Sequence, residues 1–140
     1  MTRLFLAAFL AVLLAFPIAS ARAELQVNVN QGQSQPIPIA VTNFVPNDPS
    51  GAEFATGIPE VITNNLVGTG LFKAIDKQAF IQDSASMQQQ IRFPEWKAIN
   101  AQALVTGVVT KAGDGRTRVE FRLFDVFGQQ QMAGMAYMMG

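Results

Sequence analysis

Residues 103–137 read ALVTGVVTKAGDGRTRVEFRLFDVFGQQQMAGMAY, and this stretch decides the fold. Between Arg116 and Asp125 polar and apolar residues alternate with a period of two, which is typical of a strand with one wet face and one buried face. Residues 104–110 are rich in β-branched side chains, and Gly113–Gly115 and Phe127–Gln129 can form tight turns. The pattern therefore predicts three consecutive strands arranged as a meander.

A sheet with one apolar face cannot stand bare in water, so we expect helices from the preceding sequence to cover it. Five apolar residues recur at helical spacing and form one predicted covering stripe: Phe54, Ile58, Val61, Ile62 and Leu66. The helix should begin near Ser50 or Gly51 and end at Gly68 to Gly70. Pro59 lies inside this pattern and predicts a kink or a fresh start.

The remaining segments predict a short strand over 36–41 and another over 71–75, followed by a brief turn capped by Asp76. Residues 82–90 are polar and indicate a loop or a weak helix, whereas Pro94 fits the first position of a helix that turns Trp96 and Ile99 inward. The predicted fold class is α+β: a mixed β-sheet with a C-terminal three-stranded meander, covered on one face by helices.

Residues 1–23 have the pattern of a secretory signal peptide. Arg3 precedes an apolar run over 4–16, and small residues lead to Ala23. The run is shorter than the ~20 residues that a membrane span needs. We expect cleavage after Ala23 and export to the periplasm by the Sec route, without a lipid anchor because no Cys stands at the cleavage point.

Residues 24–35 predict a flexible N-terminal strand. Leu25, Val27 and Val29 alternate with polar residues, and no charged residue occurs between Glu24 and Asp48. Native edge strands usually carry charges or prolines that prevent unwanted pairing, so an uncharged terminal strand is a candidate for pairing with another chain. The alternative is that this strand pairs within its own sheet, as extended termini do in many domains.

The residue inventory excludes several kinds of chemistry. The chain has no His and no Cys, which excludes nucleophilic triads, His-based proton transfer and soft-metal sites built on those residues. Loss of the leader removes two arginines and leaves a net charge of −2, so no basic field is available for nucleic acid or anionic lipid. We interpret Asp114 and Asp125 as turn and strand-end residues rather than as an acid and base pair.

Two surface patterns have competing interpretations. Arg116, Arg118 and Arg122 form a basic stripe that also contains Glu120, and we interpret it as a solvated face rather than an anion site. The methionines Met132, Met135, Met138 and Met139 could form an adaptable interface, or they could be core positions for a covering element. Because the sequence stops directly after a strand, we expect it to be the front part of a longer protein.

Several segments, in this order, resemble the TolB family, the periplasmic component of the Tol-Pal system of Gram-negative bacteria. They are ELQVNV at 24–29, IPIAV at 37–41, GIPEVI at 57–62, LFK at 71–73, LVTG at 104–107 and VEFRLFDV at 119–126. The resemblance implies an N-terminal α/β domain over 36–140, to be followed by a six-bladed β-propeller that this sequence does not contain.

The resemblance also implies a function, that of a non-enzymatic scaffold that supports outer-membrane integrity and cell division. Carried over by position, the residues that match the TolA-binding strand of the family are Glu24, Leu25, Val27, Val29 and Gly32. Pal would be bound through the absent propeller, and the resemblance implies no cofactor, no nucleic acid and no direct membrane insertion. The alternative is an outer-membrane assembly or secretion component with a similar α/β domain.

Overall fold

The structure is a computed structural model, and it describes residues 35–140. The predicted signal peptide and its cleavage point after Ala23 lie outside the described residues, as does the strand predicted over residues 24–35 except for its last residue, Gln35. The described part of the chain forms one sheet with helices packed on it.

Six strands and three helices make up the described fold. The strands are β1 Ile37–Val41, β2 Val45–Pro46, β3 Phe72–Ala74, β4 Ala103–Lys111, β5 Thr117–Asp125 and β6 Gln130–Met139. The α-helices are α1 Ala52–Gly68, α2 Ser84–Met87 and α3 Phe93–Ala98. Two single 3-10 turns, Pro49–Gly51 and Lys77–Ala79, begin after Asp48 and Asp76, whose side chains accept hydrogen bonds from backbone N–H groups.

The strands follow the spatial order β3-β1-β4-β5-β6, and β2 pairs with β4 beyond the end of β1. The first three strands in this order are parallel, whereas β4, β5 and β6 are antiparallel neighbours. The mixed sheet and the C-terminal meander are therefore confirmed. Val109 lies opposite Val119 and Phe121 lies opposite Met135, so the predicted inward residues of the meander share one face of the sheet.

Alternate residues of β1 belong to two different hydrophobic clusters, one on each face of the sheet. Ile39 and Val41 join the α1-side cluster, with Phe44, Ala55, Val105, Val109 and Val119. Ala40 joins the α3-side cluster, with Met87, Trp96, Ala101, Leu104, Phe124 and Val126. The predicted α+β class is confirmed, and the structure adds that α2 and α3 cover a second face.

Helix α1 runs unbroken through Pro59, so the predicted fresh start was wrong, while the kink stays a prediction. A proline inside a helix leaves the carbonyl four residues earlier without its usual N–H donor. Here that carbonyl belongs to Ala55, and it accepts a hydrogen bond of 2.8 Å from the backbone N–H of Phe44. The loop before the helix therefore supplies the donor that proline removes, and the helix continues.

The predicted covering stripe of α1 was only partly right. Ile58, Ile62 and Leu66 pack against the α1-side cluster, but Phe54 and Val61 are 39% and 58% exposed. Ala55 and Pro59 are the residues of α1 that are buried. The covering side of α1 is therefore centred on Ala55 and Pro59, and Phe54 and Val61 lie outside it.

The α3-side cluster is fixed by a buried glutamine in the segment expected to be a loop or weak helix. Gln82 is 3% exposed, and its Oε1 accepts hydrogen bonds from the Arg92 backbone N–H at 2.9 Å and from Trp96 Nε1 at 3.1 Å. Its Nε2 donates to the Gln90 carbonyl at 2.8 Å. A single side chain therefore satisfies three polar groups beside Trp96, where unpaired groups would be costly.

A row of aromatic rings crosses the α1 side of the sheet. The ring centroids of Phe44 and Phe121 are 6.5 Å apart, and those of Phe121 and Tyr137 are 6.0 Å apart, both in stacked orientation. Gly107 lies beneath the first ring, where an added Cβ would stand 3.0 Å from Phe44 and 2.5 Å from the Glu120 carbonyl oxygen. The hydrogen in place of a side chain at Gly107 thus makes room for the aromatic row.

Candidate binding surfaces

The five predicted partner-binding residues, Glu24, Leu25, Val27, Val29 and Gly32, lie outside the described residues. The described chain enters the sheet at Ile37, whose N–H donates to the Leu71 carbonyl at 2.8 Å. On the other side, the Gln102 N–H donates to the Pro38 carbonyl at 3.0 Å. Both sides of β1, the first described strand, are therefore already hydrogen-bonded, one side by β3 and the other by β4.

The carboxylates considered as an acid and base pair are not brought together. Asp114 precedes β5 and Asp125 ends it, and nine residues of strand put them roughly 30 Å apart. Asp114 accepts hydrogen bonds from the backbone N–H and the Nε of Arg116, which lower its pKa. Asp125 accepts from the Gly128 N–H at 3.1 Å. Their interpretation as turn and strand-end residues is confirmed.

Two further aspartates have lowered pKa values for the same structural reason. The Ser50 side chain, and then its backbone N–H, hydrogen-bonds to Asp48 and lowers the pKa of that carboxyl group. Ser86 lowers the pKa of Asp83 at the start of α2 in the same way. These carboxylates are stabilised in their charged form as caps, and a general acid would need the opposite shift.

The basic stripe of β5 is paired and exposed, as predicted for a solvated face. Arg118 contacts Glu120 at 2.7 Å, and Arg116 contacts Asp114 at 2.6 Å, with about half of each side chain exposed. The Arg122 guanidinium lies 5.4 Å from the ring centroid of Phe124. Because the charges of Arg116 and Arg118 are matched by neighbouring carboxylates, the stripe offers little net field to an anion.

Two open grooves lie beside this stripe on the α3 side of the meander. The larger, of about 680 Å³, runs from the segment between α2 and α3 to Phe124. The smaller, of about 410 Å³, lies over Gly134 and Ala136 of β6. Gln88 and Arg122 line both. The sequence reasoning missed these grooves, because they depend on where the helices leave the sheet uncovered.

Glu95 lines the larger groove, and its two carboxylate oxygens have different surroundings. Its Oε1 accepts from the Arg92 Nε at 2.9 Å, an ion pair that raises the pKa of Arg92. Its Oε2 is buried and has no hydrogen-bond partner within residues 35–140. One oxygen of Glu95 is therefore in an ion pair, and the other is buried without a partner in the described part of the chain.

Within residues 35–140, β6 is an edge strand whose outer side pairs with no other strand. This strand lies at the end of the sheet, spans ten residues and carries Met132, Met135, Tyr137 and Met138 exposed to solvent. No charged residue or proline occurs from Val126 to Gly140. Of the two interpretations of the methionine cluster, the exposed positions fit an adaptable surface better than core positions.

Residues 35–140 contain neither a cluster of metal-ligating side chains nor a membrane-spanning helix. No group of three or more acidic side chains there could hold a metal ion. None of the helices in that range has both the length and the apolar content that a membrane crossing requires.

A family model describing the TolB amino-terminal domain matches residues 25–132. The chain belongs to this TolB family. The resemblance expected from the sequence is therefore confirmed, and the match includes Leu25, Val27, Val29 and Gly32 as well as the described fold up to Met132.

Two relatives carry the name Tol-Pal system protein TolB. The protein from Paramagnetospirillum magneticum is 44% identical over 114 residues, which are 81% of this chain and 26% of the relative. The protein from Dinoroseobacter shibae is 50% identical over 91 residues, which are 65% of this chain and 20% of the relative. The chain thus spans about a quarter or less of the length of these TolB proteins.

The fold is also found in a solved structure of TolB. The crystal structure of TolB from Acinetobacter baumannii superposes with a TM-score of 0.57 and 24% sequence identity. The match covers 73% of this chain and 23% of that protein. The likeness supports the described arrangement of sheet and helices in a TolB protein.

Proposed function

We propose that this chain is the N-terminal part of a periplasmic, non-enzymatic scaffold of the Tol-Pal system, and that its terminal strand pairs with TolA. The observation that carries the proposal is the family match, which begins at residue 25 and so includes the predicted strand. The names of the relatives place TolB proteins in that system. The predicted leader over residues 1–23 supplies the route to the periplasm.

The mechanism is β-augmentation. The backbone N–H and C=O groups of residues 24–30 would pair with an exposed strand of TolA and provide affinity. Leu25, Val27 and Val29 would lie on one face and fix the register, since a slip of one residue would move all three to the other face. Glu24 would be the sole charge of the strand, and Gly32 would let the connector bend.

The described domain supports this role by leaving the terminal strand no place beside β1. That strand is bonded on one side to β3 and on the other to β4. The polar residues that could act in catalysis have structural roles instead. The aspartates cap turns, and Gln82 accepts a hydrogen bond from Trp96. These observations favour a binding module over an enzyme, and no cofactor is proposed.

The wider role belongs to the longer protein. TolB relatives are roughly four to five times the length of the matched region. We assign Pal binding to the propeller that the family resemblance implies. Linking TolA to Pal would connect the inner and outer membranes. The proposal thereby accounts for a contribution to outer-membrane integrity and to constriction at division.

A calorimetric titration tests whether the terminal strand binds TolA. The full chain is exported and processed in a Gram-negative host, and the C-terminal domain of TolA is titrated into it. Deletion of residues 24–34 should abolish the binding heat, while circular dichroism confirms that the rest is folded. Unchanged affinity after the deletion would overturn the proposal.

A pair of double variants tests the register. Val27→Asp with Val29→Asp should weaken TolA binding at least about tenfold, since each buries a charge on the packed face. Gln26→Asp with Asn28→Asp adds the same charge on the other face and should change affinity by less than about threefold. Equal losses in the two variants would contradict the assignment of faces.

A further inference from the structure

Strand β1 begins inside a short proline-containing segment. Residues 35–38 read QPIP, and Ile37 is the first residue of the strand. Proline fixes its own φ at about −65° and disfavours the helical conformation of the residue before it. Gln35 and Ile37 both precede a proline, so all four residues have a restricted backbone. This exit segment, residues 35–38, is therefore a stiff connection between the sheet and residues 24–34.

The backbone donors of the exit segment are already used. Proline has no N–H, so Ile37 carries the one backbone donor among residues 36–38. That N–H donates to the Leu71 carbonyl at 2.8 Å. On the opposite side, the Pro38 carbonyl accepts from the Gln102 N–H at 3.0 Å. Residues 36–38 therefore have no backbone donor to offer to a further strand, which would need one for a ladder.

Both neighbours of β1 start at nearly the same level as β1 itself. Ile37 lies opposite the first residue of β3, and Ile39 lies opposite the first residue of β4. Each neighbour begins two or three residues after a residue in the left-handed region, Gly70 at φ 75° and Asn100 at φ 63°. These turns carry the preceding chain out of the strand direction. The described ladders on both sides of β1 therefore stop at the exit segment.

We propose that Pro36 and Pro38 are positioning residues that present the terminal strand to its partner. Together with the turns at Gly70 and Asn100 they end β1 at a fixed point. They hold the exit segment extended, so that residues 24–34 leave the sheet in one direction instead of pairing beside β1. The identity of the partner, TolA, rests on the proposed function, whereas the stiffness of the exit segment can be tested without TolA.

A stiff exit segment favours the capture of the strand in two ways. A flexible connector loses conformational entropy when the strand that it carries is ordered against a partner, and proline removes part of that entropy before binding. A connector without pairing donors also keeps the strand from being held beside β1, which would reduce the fraction of chains competent to bind. Both effects raise the apparent affinity for the partner without adding a contact to it.

Distance measurements on the free chain test the stiffness of the exit segment. Because the sequence has no Cys, Ser34→Cys with Lys111→Cys provides the two sites for spin labels, and Lys111 is exposed at the other end of β4. In the full chain, exported and processed in a Gram-negative host, pulsed electron paramagnetic resonance should give a narrow distance distribution. Pro36→Ala with Pro38→Ala should broaden it at least about twofold, because two fixed φ angles are released.

The matched control removes two prolines elsewhere. Pro46→Ala with Pro49→Ala changes two exposed prolines outside the exit segment, and it should leave the distribution as narrow as in the parent chain. Pro36→Ala alone covers the case in which the double variant does not fold, since Pro36 is exposed and lies outside β1. That variant should give a smaller broadening, and circular dichroism checks that each variant is folded.

A titration with the C-terminal domain of TolA tests the positioning role. Pro36→Ala with Pro38→Ala should weaken binding about two- to fivefold, although residues 24–34 are unchanged. Pro46→Ala with Pro49→Ala should bind as the parent chain does. A merely structural role of the exit prolines would lower the free energy of unfolding without changing the dissociation constant of the folded chain.

Two results would overturn the proposal. A distance distribution that is equally wide with and without the exit prolines would show that they do not fix the direction of the strand. A broadened distribution with unchanged affinity for TolA would show that this direction does not matter for binding. Absence of TolA binding in the parent chain would instead contradict the proposed function, and the distance distribution would still decide whether the exit segment is stiff.

Discussion

Strands β4 and β6 have similar apolar content and opposite surroundings. Leu104 and Val109 of β4 are fully buried, because β4 lies inside the sheet between α1 on one face and α2 and α3 on the other. Met132 of β6 is 66% exposed, because β6 lies at the edge where no described helix reaches it. Position in the sheet, more than hydrophobicity, separates the part that stabilises the fold from the part available for contacts.

This difference has an energetic meaning. Burial of an apolar side chain contributes about 1.5–3 kcal/mol, and residues such as Trp96, Ile39 and Leu104 contribute it in full. Half-exposed residues such as Met135 and Tyr137 contribute only part of it. Substitutions in the two regions should therefore have different effects on stability, and the following predictions use that contrast.

The largest effect is expected at Trp96. Trp96→Ala should lower the free energy of unfolding by about 3–5 kcal/mol, because the ring is fully buried against Phe80 and fills the α3-side cluster. Tyr137→Ala, which also removes an aromatic ring, should cost no more than about 1 kcal/mol because that ring is half exposed. Urea denaturation followed by circular dichroism measures the free energy of unfolding of both variants. Similar losses in the two variants would contradict the contrast between the covered region and the edge.

The next largest effect is expected at Gln82. Gln82→Ala should lower the free energy of unfolding by about 2–4 kcal/mol, because the Trp96 indole N–H and the Arg92 backbone N–H lose their acceptor in a buried site. Gln89→Ala removes an exposed amide from the same segment and should cost less than about 0.5 kcal/mol. If the two variants unfold at the same urea concentration, Gln82 does not hold the cluster together.

A smaller effect is expected at Gly107, where the covered and exposed regions meet. Gly107→Ala should cost about 1–3 kcal/mol, since its Cβ would collide with the Glu120 carbonyl and press on the Phe44 ring. Gly113→Ala is the matched control, because nothing lies within 4 Å of its added Cβ. Thermal unfolding of the two variants measures the difference, and a neutral Gly107→Ala would mean that the aromatic row tolerates displacement.

The smallest effect is a dependence of stability on pH. The pKa values of Asp48, Asp83 and Asp114 lie below the ordinary 3.8 in the folded chain. A lowered folded pKa gives stability that is present above 3.8 and is lost as pH falls through the folded values. The melting temperature should therefore fall on acidification below about pH 4.

An asparagine variant separates this effect from general acid unfolding. Replacing Asp48, Asp83 and Asp114 together by Asn keeps a capping oxygen at each site but removes the titrating group. The melting temperature of the triple variant should depend less steeply on pH between about 4 and 2. An equally steep decline would place the acid sensitivity in other carboxylates.

The elements that depend on local sequence could be predicted, and those that depend on distant partners could not. The meander, the Asp76 turn and the Pro94 helix follow from period-two alternation and from cap residues within a few positions. The unbroken α1 could not be foreseen, because the donor that compensates for Pro59 comes from Phe44, outside the helix. The pattern also could not reveal that small residues, led by Ala55, would face the sheet.

The candidate binding surfaces also differ in whether local sequence or distant contacts determine them. The terminal strand was predicted from its lack of charge, a property of the sequence itself, and it remains a prediction. The grooves beside Arg122 and the role of Gln82 required the packing of two separate segments on the sheet. The position of β6 at the edge of the described sheet follows from the strand order, which the period of the sequence does not reveal.

Amide hydrogen exchange of the full processed chain tests the contrast between covered and edge strands most directly. The amides of β1 and β4 should exchange slowest, and the outward-facing amides of β6 should exchange as fast as a loop. Amides of β6 protected as strongly as those of β4 would contradict the account.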